Sequence, residues 1–406
     1  MSILTFFSGS YCGKKSIISD VIDQSGFKLL SDNDLVASAS RLSGMPENKI
    51  ARSFLEKTSV FNKFTHEKER AIAYLRLAMA ECMSLDDCVI EGFTSLLIPA
   101  SISHVLRICL IADKAFRIEQ AMKSHNLSEK DAVSLISKND ESYSAWSNTL
   151  YKITDPWDAS LYDMILPTDK MAKDEAVSLI LENLKNEVIQ PTKASRKAAD
   201  DFALAARVEV ALSKEGHAVG VTARDGLVTL TINTNVLLLG RLEEELKKIV
   251  QQVQGVSSVE TRIGKGFYQA DIYRRFDFQV PSKVLLVDDE REFVQTLSER
   301  LQMRDVGSAI AYDGESALNL MEADEPDVMI LDLKMPGIDG IEVLKKVKAS
   351  RPQIEVIILT GHGSEADREI CMKLGAFAYL QKPVDIEELS RNLKAANEKI
   401  RHKEQN

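Results

Sequence analysis

The sequence predicts a multidomain α/β chain, and three observations predict it. Four short apolar runs in the last third, Lys283–Val287, Val328–Leu331, Val356–Leu359 and Ala376–Leu380, each end at a chemically active residue. The opening run Ile3–Phe7 passes through a glycine-bearing loop, Ser8–Ser16, into a helical pattern through Ile22. Proline-marked breaks at Gln190-Pro191 and Val280-Pro281-Ser282 divide 406 residues into parts that can each bury a core. Strand and helix patterns that alternate give parallel sheets covered on both faces. The breaks place domains at 1–190, 195–275 and 282–403.

Each element of the last part has a chemical reading. Asp288-Asp289 follow the first run, Asp332 the second, Thr360 the third, and Lys382-Pro383 come just after the fourth. In an open parallel sheet, residues beyond the strand carboxyl ends converge on one crevice. Three clustered carboxylates repel one another and push at least one pKa upward. A hard divalent cation such as Mg²⁺, held by oxygen ligands, removes that conflict. One aspartate is then free to act as a nucleophile.

From about Ser282 to Lys399 this constellation resembles the receiver domain of bacterial two-component response regulators, which implies a flavodoxin-like (βα)5 fold. Carried over residue by residue, the resemblance makes Asp288, Asp289 and Asp332 the Mg²⁺ ligands. Asp332 accepts the phosphoryl group, from a sensor histidine kinase, a phosphotransfer protein or a small donor such as acetyl phosphate. Lys382 contacts that group, Thr360 is the switch hydroxyl, Tyr379 the switch aromatic, and the Lys382–Pro383 peptide is cis. Catalysis by Asp332, Thr360 and Lys382 is then mostly positioning and charge neutralisation. The acyl phosphate adds roughly two negative charges. Thr360 turning toward them would vacate space for Tyr379 and remodel the surface around Gly361–Leu374 and Ala376–Gln381.

The first part opens with strand, loop and helix in the order that cradles phosphate on backbone N–H groups. Gly9, Gly13, Lys14 and Ser16 are therefore candidate nucleotide contacts. The pattern is imperfect: Ser8 stands where a first glycine is expected, and Lys15 where Ser or Thr is expected. Over about 185 residues the segment resembles the cytidylate-kinase-like family of nucleoside monophosphate kinases, which implies a P-loop kinase-like parallel sheet. Phe27–Leu35, Cys88–Phe93, His104–Ala112 followed by Arg117, Asn126–Ala132 with Ser128 as N-cap, and Tyr162–Leu166 carry the likeness. The departures fall at chemical positions. Phe93 replaces an arginine after Gly92, Tyr143 replaces the arginine of an Asp-x-x-Arg beginning at Asp140, and Tyr11 crowds the loop. Phosphoryl transfer leans on such arginines, so turnover is expected to be lost, while Lys14 and Arg117 remain for a nucleotide. Three outcomes stay open: a nucleotide or small-ligand sensor, an interaction scaffold, and a nucleoside monophosphate kinase regulated by the receiver.

The middle part reads as a small α+β unit. Helix Ala199–Leu212 precedes strands Ala218–Ala223 and Leu227–Asn233, which flank the turn Arg224-Asp225-Gly226. Helix Arg241–Val253 carries the apolar stripe Leu242, Leu246, Ile249, Val250 and Val253, and strand Val256–Arg262 closes the αββαβ order. Over about 65 residues this resembles a BON domain, a family linked to membrane-surface or small-ligand contacts. Nothing basic or apolar here demands a membrane, so a spacer or dimerising module is expected, with a homodimer left open.

Composition narrows the partners. Lys and Arg number 51 against 61 Asp and Glu, a net charge of −10 with no basic cluster, which argues against a nucleic-acid partner. The five cysteines (12, 82, 88, 109, 371) lack metal-type spacing and read as reduced cytosolic thiols. No basic leader and no stretch near the roughly eighteen apolar residues of a span are seen, so a cytoplasmic protein without membrane partners is expected.

Overall fold

The computed structural model describes residues 3–55, 62, 66–83, 87–233, 236, 239–264, 283–302, 304, 306–361 and 363–404. They form two compact units, one carrying a five-stranded and a three-stranded sheet, the other a second five-stranded sheet. The break expected at Val280-Pro281-Ser282 lies outside the described residues.

The first unit begins β1 (Ile3–Ser8), α1 (Lys14–Ser25), β2 (Lys28–Leu30), α2 (Asp32–Ser43), α3 (Glu47–Ala51) and α4 (Glu67–Met83). It continues β3 (Cys88–Glu91), β4 (Val105–Ile111), α5 (Lys114–His125), α6 (Glu129–Tyr151), β5 (Met164–Pro167) and α7 (Lys173–Leu184). The sheet order is β2-β3-β1-β4-β5, with every pairing parallel. β1 is buried along its whole length because it is the central strand of a sheet covered on both faces. Its side chains alternate: Ile3 and Phe7 enter one layer, Leu4 and Phe6 the other. Ser128 caps α6 as expected, its hydroxyl accepting the Asp131 N–H at 3.2 Å. Ser128→Ala is expected to cost about 1 kcal/mol, read as a lower urea midpoint with unchanged slope.

The predicted αββαβ order follows as α8 (Lys193–Lys214), β6 (Gly220–Arg224), β7 (Leu227–Ile232), α9 (Leu239–Val250) and β8 (Ser258–Ile263). The sheet runs β6-β7-β8, antiparallel then parallel. Asp225 and Gly226 both have positive φ (57° and 81°), as a two-residue hairpin turn with the right twist requires. The stretch after Pro191 is a helix start rather than a loose linker. Thr192 and Ser195 exchange backbone N–H to hydroxyl bonds of 2.9 and 3.0 Å, so α8 begins six residues before the expected Ala199. Ala198, Ala199, Phe202 and Val210 of α8 pack on the core that holds Ile3 and Phe7. Leu204, Val208 and Leu212, spaced by four, form a second buried stripe, and Leu204 lies against Gly255 of the three-stranded part.

The second unit is built from β9 (Val284–Val287), α10 (Arg291–Gln302), β10 (Ser308–Ala311), α11 (Gly314–Ala323), β11 (Val328–Leu331), α12 (Gly340–Ser350), β12 (Glu355–Thr360), α13 (Glu365–Lys373), β13 (Ala378–Gln381) and α14 (Ile386–Glu404). All strands are parallel, in the order β10-β9-β11-β12-β13. This is the flavodoxin-like order, whose direction of winding reverses between its first and third strands, here β9 and β11. Both faces are covered by separate apolar layers.

Candidate functional site

Strand register builds the C-terminal site. Val287 lies opposite Leu331, so the next residues, Asp288 and Asp332, emerge side by side at the switch point. The Asp332 N–H donates to the Val287 carbonyl at 2.9 Å, and the Asp288 N–H to Ala311 at 3.1 Å. Thr360 lies opposite Gln381, and the Lys382 N–H donates to the Thr360 carbonyl at 3.0 Å. One oxygen from each of Asp288, Asp289 and Asp332 falls within 4.8 Å of the others. Lys382 Nζ lies 2.7 Å from Asp288, 2.9 Å from Glu290 and 3.6 Å from Asp332, and 4.4 Å from the centre of the Phe293 ring. The Lys382–Pro383 peptide is cis.

Asp288 and Asp332 are buried and Asp289 is half-buried. The Asp288 carboxyl is held above the usual range, chiefly by burial; Lys382 and the Glu290 N–H oppose this without cancelling it. Burial, more than the repulsion expected from sequence, is the larger cause. Burial also works to lower Lys382, but hydrogen bonds from its ammonium to Asp288 and Glu290 outweigh it, and the ammonium is held on above its ordinary pKa. Three carboxylates with converging oxygens are the donor set of a hard divalent cation, so these residues fit Mg²⁺.

Several supporting residues were not singled out from sequence. Glu290, directly after the acidic pair, takes part of the Lys382 charge. Gly340 lets α12 pass close to Asp332, since a Cβ there would overlap the Asp332 carbonyl and come 2.7 Å from the Leu333 Cα. Gly363 makes room for Tyr379: a Cβ would overlap that hydroxyl and come 2.9 Å from the Thr360 methyl. Thr360 is fully buried, and the Tyr379 ring packs partly on the core. Glycine positions of this kind carry no motif, so only the packed fold exposes them.

The N-terminal crevice, at the carboxyl ends of β1, β3 and β4, differs from what its motif promised. Gly13 adopts φ 70° at the start of α1, and Ser16 turns its hydroxyl back onto the Gly13 carbonyl at 3.1 Å. Lys14 lies 3.9 Å from Glu91. Arg117 is buried, bonded through both terminal nitrogens to Asp140 (3.0 and 2.6 Å) and through Nε to the Ser10 carbonyl at 2.8 Å. Gly9 permits that approach, because a Cβ would stand 2.9 Å from Cys12 Sγ and 3.4 Å from Arg117 Cζ. Both cations assigned to a nucleotide are therefore matched by carboxylates of the same unit.

Rings fill the neighbouring space. Phe93 stacks on Phe54 at 5.1 Å and meets Tyr143 at 5.0 Å; Phe7 meets Tyr143 at 5.3 Å and Trp157 at 5.7 Å. Asp32 closes the base, accepting from Phe93 N (2.9 Å), Thr94 N (2.8 Å) and the Thr94 hydroxyl (2.7 Å). Burial raises the Asp32 pKa against the pull of those bonds. Gly92, at φ 103°, is obligatory, because any Cβ would overlap the Asp32 carboxylate. The two aromatic replacements noted in the sequence are thus the centre of a packed cluster. The five cysteines, all among the described residues, form no disulfide, and burial pushes the Cys12 thiol to about 11.

Two family models match this chain: the response regulator receiver domain at residues 284–394 and the cytidylate kinase-like family at residues 3–170. It therefore carries a response-regulator receiver domain in its C-terminal part and a cytidylate-kinase-like domain in its N-terminal part. The transcriptional regulatory protein CpxR of Escherichia coli is 43% identical over 114 residues, 28% of this chain and 48% of CpxR. The response regulator MprA of Mycolicibacterium vanbaalenii is 34% identical over 116 residues, 29% of this chain and 50% of MprA. The chain thus spans about half the length of the curated relatives it matches. Among solved structures, a CheY-like receiver domain protein from Methanospirillum hungatei is 26% identical, covering 30% of this chain and 97% of its own, with a TM-score of 0.29. Among the described residues no helix is long and apolar enough to cross a membrane.

Proposed function

We propose that this chain is a response regulator that accepts a phosphoryl group on Asp332, from a sensor histidine kinase or a phosphotransfer protein. The observation that carries this reading is the convergence of Asp288, Asp289, Asp332 and Lys382 at one strand-reversal point. An Asp332 oxygen attacks phosphorus, the bond from phosphorus to the donor imidazole breaks, and that nitrogen leaves and regains its proton balance from solvent. Lys382, 3.6 Å from Asp332, is placed to neutralise the phosphoryl oxygens. Bound Mg²⁺ at the three aspartates would supply further neutralisation. Thr360 and Tyr379 are the switch pair on this reading, with Gly363 providing their clearance. In acetyl phosphate the chain is expected to shift on a phosphate-affinity gel with Mg²⁺ present and to show no shift in EDTA. A full shift in EDTA would sink the Mg²⁺-dependent acceptor reading.

The three parts, 1–190, 195–275 and 282–403, divide the work as output, BON-like connector or dimerising module, and receiver. The output part is proposed to act without turnover. Supporting this are the Arg117–Asp140 pair, the Lys14–Glu91 pair and the rings at Phe93 and Tyr143, where transition-state charge would need arginine. With ATP, CMP and Mg²⁺ we expect ADP to accumulate no faster than in the protein-free blank. Steady ADP formation would favour the alternative, a nucleoside monophosphate kinase regulated by its receiver.

A further inference from the structure

We propose that the crevice between α4, the end of α6, α8 and β6 binds a neutral, largely apolar small molecule with a few hydrogen-bonding groups. The cavity measures about 620 Å³, inside the range typical of small-ligand sites. It lies away from the Ser8–Ser16 loop: its lining comes from both the five-stranded and the three-stranded parts of the first unit.

The walls define the ligand. Leu96, Leu97, Leu150 and Phe202 supply an apolar surface. Three cations line it (Arg76, Lys197, Arg224) against three carboxylates (Asp201, Glu209, Asp225), so the lining charges sum to zero. Five of the six are already engaged. Arg76 donates to Glu209 at 2.6 Å, Lys197 pairs with Asp225, and Asp201 accepts the Asp225 N–H at 2.8 Å. Arg224 and the Lys197–Asp225 pair are exposed, so a charge meeting them at the rim gains little, while a charged ligand deeper in would have to break the Arg76–Glu209 pair and strand its partner. A neutral one leaves the pairs intact.

The strand edge supplies the polar anchor. Val221 to Asp225, five successive residues, all line the cavity. Side chains alternate between the faces of a strand, so lining by successive residues means that the cavity runs along the edge of β6. β6 is the terminal strand of its sheet, and an edge strand presents N–H and C=O groups outward. A ligand with an amide, a hydroxyl or a carbonyl can meet them. Occupancy grips α4 and α6 on one side and the hairpin on the other, so it favours whichever arrangement of the two closes on it. This would be an input separate from phosphorylation.

The test uses the full chain and a neutral apolar fluorophore, N-phenyl-1-naphthylamine. We expect its emission to rise and saturate at one probe per chain, with the anionic anilinonaphthalene sulfonate binding about tenfold more weakly or worse. Ala205→Trp, which fills the cavity from α8, should weaken the neutral probe by about tenfold or more with the melting transition unchanged. Should that variant melt early, Ala198→Phe makes the same test from the same face of α8, two turns nearer its start. The proposal is overturned by unsaturable emission, by equal binding of the sulfonate, or by full affinity in a folded filling variant.

Discussion

Asp332→Asn is expected to abolish labelling by acetyl phosphate and to leave the chain folded. The amide matches the carboxylate in shape, and its oxygen can still accept the Leu333 N–H that Asp332 accepts at 2.7 Å. It lacks the anionic oxygen that must attack phosphorus, and no nearby group replaces it: Asp288 is bonded to Lys382 at 2.7 Å, and Asp289 follows another strand end. Removing one of three crowded carboxylates also relieves repulsion, so stability should hold or rise. The readout is the gel shift at saturating acetyl phosphate and Mg²⁺, with a thermal melt alongside. Labelling at the wild-type level in a folded variant would remove Asp332 as the acceptor.

Trp146→Ala costs the first unit about 3–5 kcal/mol. Trp146 is completely buried, packs edge-on against Phe54 at 5.1 Å, and donates its indole N–H to the Phe93 carbonyl at 2.8 Å. The truncation leaves a cavity beneath the ring cluster and an unpaired carbonyl beside it, and these penalties add. With two tryptophans in the sequence, Trp157 alone remains, 5.7 Å from Phe7 in the same cluster, and its fluorescence follows the unfolding directly. A denaturant midpoint shift worth under about 1 kcal/mol would mean that the rings are not what organises this crevice.

The receiver site was legible because its chemistry sits on single residues just past strand ends. Once four apolar runs are aligned in a parallel sheet, Asp288, Asp332, Thr360 and Lys382 must meet, and the register of β9 with β11 does bring the two aspartates together. The N-terminal crevice was half legible. Phe93 and Tyr143 announced that arginines were missing, yet nothing in a local pattern says that Arg117 pairs with Asp140, 23 residues away on the next helix. The start of α8 was misplaced because Pro191 reads as a break. The reciprocal Thr192–Ser195 bonds instead make the residues after it a capped helix entry.

α8 also sets the gearing of the first unit. Its residues 198, 199, 202 and 210 mesh with the five-stranded part, and residues 204, 208 and 212 point to the opposite side of the same rod. A rod with two toothed sides has a phase. One inserted residue would turn everything beyond it by about 100° and advance it by about 1.5 Å. The three-stranded part, carried on the stripe of Leu204, Val208 and Leu212, would then arrive turned about the helix axis relative to the five-stranded part. The length of this helix between Ala198 and Leu212 is fixed by the two parts that its stripes engage. Over evolutionary time the five-stranded and three-stranded parts are thereby held in step, like two hands fixed to one spindle.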